Sequence, residues 1–219
     1  DTKDERYMIM SYIFHHKVVL DSLANHNDIL PGIHGNTQIP KLIGLAKRYE
    51  VNGDQEDYEA ATFFWDRVVN HHSYVTGGHG NHVYFGEPDE LNFRLSAGTT
   101  ETCNVYNMLK LSQHLFSWNP RAEVADYYER ALFNHILAAQ HPDNGRVIYN
   151  LSLEMGGHKE YQYPFSFTCC VGSGMETHSK HATHIYYHND HELYISQYMA
   201  STLNWDEMGL QLTQNTQFP

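Results

Sequence analysis

Apolar residues recur at helical spacing through the first two-thirds of this chain and at alternate positions near its end. The first periodic stretch opens at Asp4-Glu5-Arg6-Tyr7 and runs to about Leu23. A second opens at Gln55-Glu56-Asp57-Tyr58 and places Ala61, Phe64, Trp65, Val68 and Val69 at helical intervals. A third opens at Ala125-Asp126-Tyr127-Tyr128 and continues with Ala131, Leu132, His135 and Ile136. The three openings resemble one another as copies of one unit. In the second and third copies a further helix leads in, over residues 40–49 and 101–118. Asn52-Gly53-Asp54 and Asn119-Pro120 supply the turns between them. Recurring helix-turn-helix units predict a helical solenoid or a closed α/α toroid.

Polar, Gly-rich connections interrupt the helices at residues 25–38, 73–98 and 140–168. Connections of this length in a compact domain usually carry function. In a toroid they would gather at one end and form a substrate face. Near residue 185 the period changes to two: residues 185–188 and 192–199 read as strands around an Asn189-Asp190 turn, and residues 210–213 begin another. A β-domain is therefore expected to begin there, and the chain reads as part of a longer protein.

Composition narrows the partners. The formal charge of −12 argues against nucleic acid or an anionic membrane surface. No apolar run is long enough to cross a bilayer. The sixteen tyrosines and seventeen histidines supply flat faces with polar edges, which suit a neutral carbohydrate substrate. A homo-oligomer is compatible with the sequence.

Three cysteines are an odd number, so they cannot all pair within the chain. They lie in two clusters, Thr100-Glu101-Thr102-Cys103 and Phe167-Thr168-Cys169-Cys170. A Cys169–Cys170 disulfide, or three buried thiols, are the plain alternatives. Metal binding ranks above both, because Glu101 with the three sulfurs completes a tetrahedral donor set for zinc. Glu101 and Cys103 would diverge by about 200° on a regular helix, so Glu101 is expected at or before a first turn. Adjacent Cys169 and Cys170 are expected to need non-helical backbone between them. A helix is expected over residues 175–185.

Four ordered blocks carry a more specific resemblance. They are Leu30-Pro31-Gly32-Ile33-His34-Gly35-Asn36-Thr37-Gln38-Ile39-Pro40-Lys41, Tyr74-Val75-Thr76-Gly77-Gly78, Leu95-Ser96-Ala97-Gly98-Thr99-Thr100-Glu101-Thr102-Cys103-Asn104, and Cys169-Cys170-Val171-Gly172-Ser173-Gly174-Met175-Glu176. Together they resemble the retaining zinc-dependent β-L-arabinofuranosidases, a glycoside hydrolase family first known as a domain of unknown function. The resemblance implies a mainly α fold, with residues 1–187 part of an (α/α)6 barrel and residues 188–219 the start of a β-sandwich. It implies zinc on Glu101, Cys103, Cys169 and Cys170, with Cys169 as nucleophile through a thioglycosyl intermediate. His34 and Tyr149 match sugar-contacting positions.

The family's acid is a glutamate in the loop after Thr-Gly-Gly. Counted against Tyr84-Phe85, that position falls on Val83, which cannot transfer a proton. Counted against Gly86-Glu87, it falls on Glu87, the assignment taken here. The expected activity is release of β-linked L-arabinofuranose from plant-type glycans. The alternatives are another furanoside, or a catalytically silent structural-zinc module binding glycan or another subunit.

Other residues have simpler readings. His71-His72 and the His178, His181, His184 series have metal-like spacing, but the sulfur set already satisfies one cation. Trp65 and Trp118 read as core. Asp57, Asp126 and Glu129 read as solvated first-turn acids that favour the helix dipole.

Overall fold

The computed structural model describes residues 4–163 and 165–217 of the chain. Seven α-helices precede two β-hairpins among them. The helices are α1 (Glu5–Ile13), α2 (Lys17–Ala24), α3 (Gly35–Asn52), α4 (Gln55–Arg67), α5 (Thr102–Trp118), α6 (Ala122–Ala131) and α7 (Cys169–His178). The strands are β1 (Tyr186–His188), β2 (Leu193–Ile195), β3 (Ser201–Trp205) and β4 (Leu210–Gln214).

The repeat expected from the sequence is visible. Both α4 and α6 run on into a π-helical turn, Val68–His72 and Leu132–Leu137. Their leading partners, α3 and α5, lie side by side and parallel. At one end Asn36 Nδ2 donates to Glu101 Oε1 at 3.4 Å. At the other end Glu50 Oε1 meets His114 Nδ1 at 2.6 Å and accepts from Trp118 Nε1 at 3.2 Å. The faces between these ends bury Ile39, Leu42, Ala46, Val105, Met108 and Leu115. That apolar burial, at roughly 25 cal/mol per Å², is what holds the helix layers together.

Several boundaries differ from the sequence expectation. The stretch from Asp4 to Leu23 is two helices, broken at Phe14, His15 and His16. Tertiary contacts fix that break: His15 Nε2 meets Asp21 Oδ1 at 2.7 Å, and His16 Nδ1 meets Lys41 Nζ at 2.8 Å. Periodicity cannot register such pairings. α3 starts at Gly35 rather than near Pro40, so Pro40 lies inside the helix. The missing N–H leaves the Asn36 carbonyl without its helical donor. α6 begins at Ala122 rather than Ala125. The helix expected over residues 175–185 instead ends at His178, with a 3₁₀ turn at His181–His184.

Asp57 is also corrected: it is buried, not solvated, and forms an ion pair with Arg48. The buried guanidinium, out of reach of water, makes the first-turn acid a core partner. Trp65 is buried as expected, its Nε1 donating to Ser112 Oγ at 2.8 Å. Trp118 is partly buried against Tyr49, with ring centroids 4.8 Å apart.

The strands form two antiparallel pairs, Tyr186–His188 on Leu193–Ile195 and Ser201–Trp205 on Leu210–Gln214. The first hairpin packs on the helices: Tyr187 and Tyr194 face Phe116 at centroid distances of 4.7 and 6.4 Å.

Candidate metal centre

The N-termini of α3, α5 and α7 meet at one place. His34 caps α3, Glu101 caps α5 and Thr168 caps α7. A helix start leaves backbone N–H groups unpaired and favours negative charge. Glu101 has extended backbone at φ −69° and ψ 132°. It therefore sits before the first turn, as the two-residue spacing to Cys103 requires.

The approach to Glu101 is tightly specified. Thr100 has φ +54°, in the left-handed region that a β-branched residue rarely enters. The neighbouring loop can pack there only because Gly78 lacks a side chain: a Cβ would come within 2.6 Å of Thr100 Cβ. A short antiparallel ladder then fixes Tyr149 beside Glu101. Thr102 N donates to Tyr149 O at 2.9 Å, and Leu151 N to Thr100 O at 3.0 Å.

Cys169 and Cys170 are the first two residues of α7. The expectation of non-helical backbone between them is thus corrected. Their sulfurs are 4.0 Å apart even so, because the fork of a first turn suffices for two short side chains. Cys103 Sγ lies 3.3 Å from Cys170 Sγ. Glu101 Oε1 lies 3.5 Å from Cys169 Sγ and 3.9 Å from Cys170 Sγ. All four donor atoms fall within 4.8 Å of one another. Tetrahedral zinc with Zn–S near 2.3 Å needs sulfurs about 3.8 Å apart. Glu101 Oε2 is buried and has no hydrogen-bond partner among the described residues. The donor chemistry, the spacing and the orphaned oxygen fit a cation, so the cluster can hold a metal ion.

Electrostatics point the same way. Burial raises the Glu101 carboxyl above the usual carboxylate range. The hydrogen bond between Cys103 and Cys170 lowers the Cys103 value. Cys170 is raised correspondingly, first by that bond and then by burial. Cys169 is pushed up to about 11, chiefly by burial and next by its hydrogen bond with Cys103. Three of the four acidic groups are thus raised, which opposes full negative charge on the cluster; a divalent cation would offset that penalty.

The sulfurs differ in access. Cys103 and Cys170 are buried and Cys169 is exposed. Cys169 Sγ is 3.8 Å from the Tyr149 hydroxyl, whose own ionisation is raised by burial and by Glu101. His34 is half-buried, its Nδ1 without a partner, and its ring meets Tyr84 edge-on at 5.5 Å.

The loop carrying the expected acid is stitched to the His34 edge. Gly35 N donates to Val83 O at 2.8 Å, Phe85 N to Ile33 O at 3.0 Å, and Gly32 N to Phe85 O at 3.0 Å. His82 and Val83 both have positive φ, 48° and 67°, and form the two-residue tip of a hairpin closed between Asn81 and Tyr84. Glu87 is exposed, two residues beyond buried Phe85, and its carboxylate makes no hydrogen bond or ion pair among the described residues. The other histidines stay apart from the cluster. His72 Nε2 pairs with Asp28 at 3.0 Å, His71 with Asp89 at 3.1 Å, and His178 with His181 at 3.1 Å.

Three contacts had no signal in the spacing. Ser173 Oγ lies 3.1 Å from Cys103 Sγ. Asn36 reaches Glu101, and Asn107 Nδ2 donates to Asn36 Oδ1 at 2.8 Å. Asn36 lay within a matching block, but nothing in the pattern singled it out.

The helix array forms a scaffold with a Cys₃Glu cluster, able to hold a metal ion, at the N-termini of α5 and α7. A family model described as β-L-arabinofuranosidase, GH127 catalytic domain, matches residues 1–183. The chain belongs to this glycoside hydrolase family.

The non-reducing end β-L-arabinofuranosidase of Bifidobacterium longum subsp. longum is 32% identical over 113 residues, 51% of this chain and 17% of that protein. A solved GH127 β-arabinofuranosidase is similar over the whole chain and 36% of its own, with TM-score 0.82 and 22% identity. The GH127 β-L-arabinofuranosidase of Geobacillus stearothermophilus T6 is similar over 85% of this chain and 32% of its own, with TM-score 0.71 and 21% identity. The chain thus spans well under half the length of these relatives.

Proposed function

We propose that the protein is a retaining glycoside hydrolase that releases β-linked L-arabinofuranose from plant-type glycans, with Cys169 as nucleophile. One observation carries the assignment: of the three clustered sulfurs, only Cys169 is exposed to an incoming sugar. Glu101, Cys103, Cys169 and Cys170 would hold zinc, which when bound keeps the sulfurs deprotonated and makes sulfur a better leaving group.

In the first step Cys169 Sγ bonds to the anomeric carbon while the leaving-group oxygen takes a proton. In the second, water displaces the sulfur from the opposite face and gives up a proton, so configuration is retained overall. His34 and the Tyr149 hydroxyl would bind the sugar beside the sulfur. Glu87 is our candidate acid and base; it lies three residues past Tyr84, whose backbone pairs with that of His34.

We further propose that the parallel pair α3 and α5 are inner helices of an (α/α)6 barrel of which residues 1–187 form part. Residues 188–219 would begin a β-sandwich. A second reading, a silent module binding glycan or another subunit, is favoured by Val83 at the hairpin tip where an acid is expected.

Hydrolysis of an aryl β-L-arabinofuranoside by the intact protein separates the two. An activated leaving group needs little acid help, so turnover is expected in the wild type and lost in Cys169→Ala. Equal rates for the two would sink the nucleophile assignment. Turnover of a different aryl furanoside alone would move the substrate, not the mechanism.

A further inference from the structure

We propose that Asn107 and Asn36 form a directional hydrogen-bond relay that orients the Glu101 carboxylate, and that this relay sets how tightly the site takes its cation. The inference rests on the zinc assignment above and concerns two residues to which that assignment gives no role. Asn36 is the second residue of α3, and its Nδ2 donates to Glu101 Oε1. That oxygen is also the one facing the Cys169 and Cys170 sulfurs. Asn107 lies on α5, the helix that Glu101 caps, and its Nδ2 donates to Asn36 Oδ1.

The chemistry gives the relay a direction. A carboxylate only accepts hydrogen bonds, so the Asn36 amide must present nitrogen to it. Turned the other way, Asn36 Oδ1 would face Glu101 oxygen with no proton between them. Asn107 prevents that turn by occupying Oδ1 with a donor at 2.8 Å. Glu101 is buried, and apart from the neighbouring thiols and the Tyr149 hydroxyl, Asn36 is the side chain that donates to its carboxylate among the described residues. The relay also ties the start of α3 to α5, so the oxygen donor and the His34 edge keep one spacing. Partners of this kind beyond the ligands typically contribute about 10–100-fold in metal affinity.

Asn36 and Asn107 are positioning residues, and the test reads metal binding rather than turnover. Cobalt(II) is titrated into the metal-free intact protein against a competing chelator, following the thiolate-to-cobalt and d–d absorption bands. Asn36→Ala is expected to weaken cobalt binding about 10–100-fold and to shift the d–d bands as the carboxylate reorients. Asn107→Asp is expected to weaken it at least as much: an acceptor at 107 draws Asn36 Nδ2 to itself and turns Oδ1 onto Glu101. Asn107→Ala is expected to lose only a few-fold, because Asn36 can still donate. A merely structural role would not order Asn107→Asp below Asn107→Ala in affinity while far-UV circular dichroism and melting temperature stay matched.

The Asn107 pair also keeps the test open if Asn36→Ala does not fold. Variants that bind within twofold of the wild type with its spectrum would overturn the relay alone. A wild type that binds no cobalt or zinc would overturn the metal assignment beneath it.

Discussion

The cysteine cluster and the loop at residues 79–90 approach the same space and are built very differently. The cluster is assembled from two helix starts, those of α5 and α7, and its members contact one another directly. The loop is tied down at Phe85, which is buried, and again at Asp89, which pairs with His71, leaving Glu87 exposed between them. Its tip places a β-branched valine at φ +67°, a conformation that costs on the order of 1–3 kcal/mol. The proposed nucleophile is held by several direct contacts; the proposed acid stands on an exposed stretch and makes none among the described residues. The same contrast explains how much the sequence alone could say about each.

The largest effect expected is on the cluster side. Cys169→Ala should abolish turnover on every substrate, activated or not, in steady-state assays. Chelation should do likewise, and metal uptake should strengthen as pH rises, since Cys169 retains its proton up to about 11 without a cation. Proton release on metal binding, followed in a weakly buffered indicator, checks the sign. Binding that is indifferent to pH would mean that the sulfurs are not the ligands.

Next in size are changes in the loop. Val83→Glu places a carboxyl at the hairpin tip, beside the backbone that joins Gly35. If the acid function is weak in this protein, turnover of unactivated arabinofuranosides should rise on the order of 10²-fold or more, with aryl substrates nearly unchanged. A rise in neither would show that the tip does not face the leaving group. Glu87→Gln should slow natural glycosides and spare aryl ones. Loss on both would point to a folding role instead.

The smallest effect lies where loop and cluster are joined. His79 is fully buried, stacks on Phe85 with ring centroids 5.0 Å apart, and has both ring nitrogens unpartnered among the described residues. Burial holds its ionisation down to about 3, and His135 is lowered likewise. Unfolding therefore takes up protons at both sites. Their contribution to stability is complete above the ordinary histidine value of about 6.5 and is lost as pH falls from there towards about 3. His79→Leu should flatten part of that decline in the melting temperature, with His135 supplying the remainder. An unaltered slope would show that His79 is charged in the fold.

The sequence disclosed what depends on local chemistry. Glu101 had to precede its helix to share a cation with Cys103, and it does. The repeat of helix pairs followed from apolar period and turn residues. What escaped notice depends on the third dimension. The break at His15 and His16 exists because of Asp21 and Lys41. Asp57 looked like a surface acid because Arg48, its buried partner, lies on another helix. Cys169 and Cys170 start α7 together, because a first turn lets adjacent short side chains converge. Asn36 and Asn107 carry no spacing signal, being joined only once α3 and α5 lie side by side.

The most direct test is to trap the covalent step. The intact, metal-loaded protein is mixed with an activated β-L-arabinofuranoside, quenched in acid within the first turnovers, digested and mapped by mass spectrometry. The account predicts one pentosyl unit on the peptide containing Cys169 and Cys170, at the Cys169 sulfur. A pentosyl unit on a carboxylate, or turnover with no adduct on that peptide, would contradict it.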